Sequence, residues 1–70
     1  MSAELVARIA RADPRAREYL RLRWPERWST VGSFETYPPE LWSAAIRRWA
    51  EGELDRIEAL LLRVDRRMAA

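Results

Sequence analysis

Residues 39–70 read PELWSAAIRRWAEGELDRIEALLLRVDRRMAA, and one apolar stripe runs through most of them. Ala50, Leu54, Ile57, Leu61, Val64 and Met68 recur at steps of 4, 3, 4, 3 and 4 residues. That is the a/d spacing of a helix packed along its length. The pattern predicts a helix over about 39–67, launched by Pro38-Pro39. Gly52 is its weak point, because an interior glycine costs about 1 kcal/mol against alanine. The apolar phase passes through Gly52 without slipping, and Gly52 lies opposite the stripe, so one continuous helix is expected. A break at Gly52 is the alternative.

Upstream the chain is punctuated by proline. Ser2 can cap a first helix over about 3–12, with Glu4 in its first turn and Leu5, Val6, Ile9, Ala10 and Ala12 on its inner side. Asp13-Pro14 ends it, since the residue before proline avoids the helical region. The same dipeptide starts a second helix over about 14–24, with Asp13 as N-cap and Pro14 at the first helical position. Ala16, Tyr19, Leu20 and Trp24 make its inner face, with Arg23 at the edge. So tight a joint predicts an angled corner.

Residues 25–38, PERWSTVGSFETYP, break the helical pattern. One local solution is a small β-hairpin turning at Gly32-Ser33, which sets Val31 opposite Phe34 and Trp28 opposite Tyr37. The other is an irregular loop whose aromatic rings tuck into the helices. A lone hairpin is marginal in water.

The fold expected is therefore all-α, a single small domain over 1–70: two short helices on one long C-terminal helix, with an aromatic-rich connection between them. At 70 residues the chain lies near the lower edge of what folds unaided. Disulfides are excluded, because there is no cysteine, and the lack of histidine argues against zinc or haem. No cofactor and no metal site is expected. Nucleophile activation by histidine is excluded as well, so the expectation is that the chain is not an enzyme. A carboxylate enzyme centred on Glu53 would need a second acid in an apolar pocket, and the sequence offers none in view.

All thirteen basic residues are Arg, yet the net charge is only +2. The Arg bias fits a GC-rich genome, and small cysteine-free helical chains of this kind fit phage or mobile-element products. No run of apolar residues is long enough to span a membrane, and no apolar leader is evident, so a cytoplasmic protein is expected.

Four constellations stand out. The first is the stripe itself: the long helix should outreach the short pair, leaving Leu54, Ile57, Leu61, Val64 and Met68 for self-association or for a larger partner. On that reading Leu61→Arg should give a monomer or an unfolded chain. The second is Glu53, a carboxylate inside the stripe that must be paired or reach water; Arg23 is the candidate partner. The third is the connection, where Trp28, Val31, Phe34 and Tyr37 resemble interface anchors. The fourth is the basic second helix, whose Arg15, Arg17, Arg21 and Arg23 are candidates for phosphate contact. Its helix–turn–helix order loosely resembles a DNA-reading element, but the turn lacks glycine and Glu18 interrupts the basic face. Glu51, Asp55 and Glu58 share an outer face and are expected to form a solvated, salt-bridged surface. Arg63, Arg66 and Arg67 suit a helix C-terminus, where positive charge meets the dipole.

The functional expectation is a non-enzymatic adaptor or regulator that binds itself or another protein. The alternative is a small DNA- or RNA-binding protein acting through the second helix.

Overall fold

The computed structural model describes residues 2–69, and side-chain surroundings from residue 3 onward. Three α-helices follow one another: α1 Ser2–Arg11, α2 Pro14–Arg23 and α3 Ala44–Ala69. Short 3-10 turns at Glu26–Trp28 and Pro39–Leu41 interrupt the connection. Among the described residues there is no strand. The class is all-α.

The corner between α1 and α2 forms as its proline dictates. Asp13 adopts extended backbone, and its carboxylate accepts the Arg15 backbone N–H at 2.8 Å. That hydrogen bond satisfies one of the donors a helix start leaves open. The predicted cap of α1, Ser2, is instead the first residue of that helix, and its side chain lies outside the described residues. Trp24 ends α2 in an extended conformation, as a residue before proline prefers.

The core uses one face of each helix. Leu5, Ile9 and Ala12 meet Ala16 and Leu20 across the corner, and all five lie against the α3 row of Ile46, Ala50, Leu54 and Ile57. Ala16 and Ala50 are wholly buried, and such small residues let helix axes approach closely. Leu20 and Leu54 fill the centre, each contributing roughly 1.5–3 kcal/mol by burial.

One expectation about this region is corrected. The long helix does not begin at Pro39: the chain makes a 3-10 turn, extends at Trp42, and enters α3 at Ala44. Ser43 sets the start, its hydroxyl accepting the Ile46 N–H at 3.4 Å while its carbonyl accepts the Arg47 N–H at 3.0 Å. An N-cap serine outweighs a proline pair further upstream. α3 then runs unbroken through Gly52, which faces open space.

Of the two solutions open to the connection, the hairpin does not form among the described residues. Ser33 and Thr36 instead bond reciprocally: the Ser33 N–H donates to Thr36 Oγ1 at 2.9 Å, and the Thr36 N–H to Ser33 Oγ at 3.3 Å. The Tyr37 N–H also reaches the Ser33 carbonyl at 2.9 Å, closing one isolated helical turn. Local hydroxyl-to-backbone bonds of this kind compete with a strand ladder, and here they win. Gly32 precedes the turn at φ +146°, a conformation side chains rarely adopt.

The aromatic rings of the connection fold inward, as the loop alternative requires. Trp24 is the hub, with ring centroids of Trp28, Trp42 and Trp49 at 5.5, 5.9 and 5.6 Å, and Phe34 and Tyr37 slightly farther out. Most of these contacts are edge-to-face, the arrangement ring quadrupoles favour. Both central indoles find acceptors: Trp24 Nε1 donates to the Gly32 carbonyl at 3.0 Å and Trp42 Nε1 to the Tyr37 carbonyl at 2.9 Å.

Candidate interaction surface

The stripe of α3 changes character along its length. Ala50 and Leu54 are fully buried, Ile57 nearly so, and Leu61 half-buried. Val64 is 38% exposed and Met68 81%. The cause is length. α1 and α2 have ten residues each, about 15 Å of helix, whereas the 26 residues of α3 extend about 39 Å. A corner of two such helices reaches only part of the way. Leu54 and Ile57 therefore belong to the chain's own core and are not available to a partner while the three helices hold together. Leu61 marks the transition, and Val64 and Met68 lie beyond it.

Leu60, 49% exposed, joins this outer group and was not among the expected contact residues. The signal for it was present: Leu60, Val64 and Met68 stand four apart, which stacks them on one face.

The stripe's two edges differ in charge. On one side Glu58 and Asp55 both accept from Arg8 of α1, at 2.6 and 2.7 Å. Asp65 is bridged at 3.2 Å by Arg15 of α2. Glu58 first, and then Asp55, raise the Arg8 pKa above its ordinary value. On the other side Arg56, Arg63 and Arg67 follow at spacings of seven and four. Arg56 contacts Glu53 at 3.5 Å, while Arg63 and Arg67 have no ion pair among the described residues. This end of α3 thus presents an apolar row with an arginine edge.

Glu53 is paired as its position demands. It is only 6% exposed, and Arg23 Nε donates to it at 3.0 Å. The Tyr19 phenol is pushed up in pKa, foremost by Glu53. Arg23 also lies over the Tyr19 ring at 5.6 Å. The cluster ties α2 to α3.

The other expected sites are occupied differently from what a binding role would ask. Trp28, Phe34 and Tyr37 are half-buried in the ring cluster, so of the four connection residues only Val31 faces outward, at 56% exposure. Three of the four α2 arginines hold acids: Arg15 with Asp13 and Asp65, Arg21 with Glu18 and Glu35, and Arg23 with Glu53. Arg17 has no ion pair among the described residues. Of the outer acids of α3, Asp55 and Glu58 are held by Arg8 while Glu51 has no ion pair among the described residues, and no acid or ligand cluster suited to a metal occurs among them. A cleft of about 130 Å³ lined by Glu4, Leu5, Arg8 and Glu51 falls short of the ~300–1,000 Å³ of small-molecule sites, while a wider open groove of about 530 Å³ runs along α1 past Ala3, Glu4, Ala7, Arg8 and Arg11. No helix among the described residues is long and apolar enough to cross a membrane.

Comparison with protein-family models, with curated proteins and with solved structures found no match to this chain.

Proposed function

We propose that the protein is a non-enzymatic helical interaction module, which docks another protein surface onto the C-terminal third of α3. The observation carrying this reading is the exposure gradient along one continuous stripe, from a sealed Leu54 to an open Met68. Leu60, Leu61, Val64 and Met68 are the contact residues. Contiguous apolar side chains within a rim of charges are what partner surfaces bury. Self-association through the same residues is the competing form of this reading. Phosphate binding by α2 is weaker, because the acids of the chain already hold Arg15, Arg21 and Arg23.

The test separates docking from folding. Leu61→Arg mixes the two, because Leu61 also packs against the internal core. Val64→Asp with Met68→Asp should leave helicity and melting temperature close to wild type, and should abolish retention of whatever protein the wild type retains stoichiometrically from its native host. Retention of the same proteins by both forms would refute the reading.

A further inference from the structure

We infer that the surface docking here is an acidic amphipathic helix of another protein, not a second copy of this chain. The inference rests on the docking reading above and adds the chemistry of the partner. Its basis is the charge pattern around Leu60, Val64 and Met68. Arg56, Arg63 and Arg67 line one edge of this row. The acids on the opposite edge, Glu58 and Asp65, are already held by Arg8 and Arg15 of the same chain. The face offered to a partner is therefore apolar and cationic, and its natural complement is an apolar stripe flanked by carboxylates.

A second copy fits poorly in either direction. When two identical helices pack antiparallel, each edge meets its own kind, so the arginine edge would face another arginine edge. When they pack parallel, arginine meets the acidic edge, but Arg8 and Arg15 must first be displaced and the α1–α2 corner stands beside it. Nucleic acid would satisfy the arginines yet leave Leu60, Val64 and Met68 uncovered. An anionic membrane would take both features, but membrane-surface helices carry basic residues about the apolar face, whereas Glu58 and Asp65 line one side of it here. An acidic helix satisfies the apolar row and the arginine edge together.

The experiment is selection of ligands for the intact protein from a displayed library of helical peptides with randomised surface positions. Wild type should enrich peptides with leucine-like residues at i, i+3/i+4 and i+7, flanked by Glu or Asp. Their affinity should fall about tenfold on Arg63→Glu with Arg67→Glu, and should fall with added salt. The same double variant should in turn enrich Lys- or Arg-flanked peptides. Enriched peptides that bind the Val64→Asp/Met68→Asp variant unchanged would show that the apolar row is not the docking site, which refutes the docking reading itself. Enriched peptides lost on that variant but without acidic bias leave docking standing and overturn only the acidic partner. Failure to enrich any peptide overturns the inference, as does a concentration-dependent dimer in sedimentation that Val64→Asp/Met68→Asp dissolves. Stronger co-sedimentation with phosphatidylglycerol vesicles than with any selected peptide overturns it in favour of a membrane.

Discussion

Glu53 and Arg23 illustrate how little symmetry an ion pair need have. The carboxylate is sealed between α2 and α3, while Arg23 stays half in water. Removing the guanidinium leaves the buried charge with only the longer Arg56 contact at 3.5 Å; removing the carboxylate merely releases Arg23 to solvent. Arg23→Ala should therefore lower stability by about 2 kcal/mol, whereas Glu53→Met should change it by less than about 1 kcal/mol in either direction. Urea unfolding of both variants decides it, and a costlier Glu53→Met would mean that the carboxylate itself stabilises the fold. Asp13 makes a pH-dependent contribution of definite sign. Arg15, through its side chain and then its backbone N–H, holds this carboxyl down from 3.8 to about 2. Between those values the unfolded chain binds more protons, so the contribution of Asp13, small because the pair is exposed to solvent, is complete above the window and is lost as pH falls through it. Arg21 lowers Glu18 in the same direction. Asp13→Ala should lower the melting temperature at neutral pH through the lost cap, and should flatten the acid limb of a stability–pH curve. A limb as steep as wild type would exclude Asp13 as its source.

At the scale of elements the two glycines have opposite meanings. Gly52 sits mid-helix, and a methyl group added there would meet nothing within 4 Å. Gly52→Ala should raise the melting temperature, by up to about 1 kcal/mol of added stability. Gly32 holds φ +146°, and a Cβ there would come within 3.1 Å of Tyr37 Cβ. Gly32→Ala should destabilise by roughly 1–3 kcal/mol, and should disturb near-ultraviolet circular dichroism because Trp24 bonds to the Gly32 carbonyl. An unchanged aromatic spectrum would count against that link. The pair also shows why the connection defeated a strand reading. Gly32-Ser33 suits a hairpin by turn chemistry, but Ser33 and Thr36 bond each other, and the rings gain more by clustering on Trp24 than by pairing across two exposed strands.

For the molecule as a whole, extents of 43 × 25 × 17 Å describe a short two-helix corner on a longer rod. The stripe along that rod should divide energetically where it divides in exposure. Leu54→Ala should cost about 2–5 kcal/mol, while Met68→Ala should stay within about 0.5 kcal/mol, read as shifts of the urea midpoint at constant slope. Equal costs would mean that the end of α3 is covered as well. What periodicity and proline positions determined by themselves is the set of helices, the corner at Asp13-Pro14, the apolar phase that carries α3 through Gly52, and the placing of Glu53 inside that stripe. These follow from local sterics and from the repeat of apolar residues, which any segment of chain carries within itself. Only tertiary structure decided how far the corner reaches along α3, that Leu54 and Ile57 are internal while Leu60 is not, and which arginines already hold acids. Those outcomes depend on residues dozens of positions apart meeting in space, and no spacing along one helix records them.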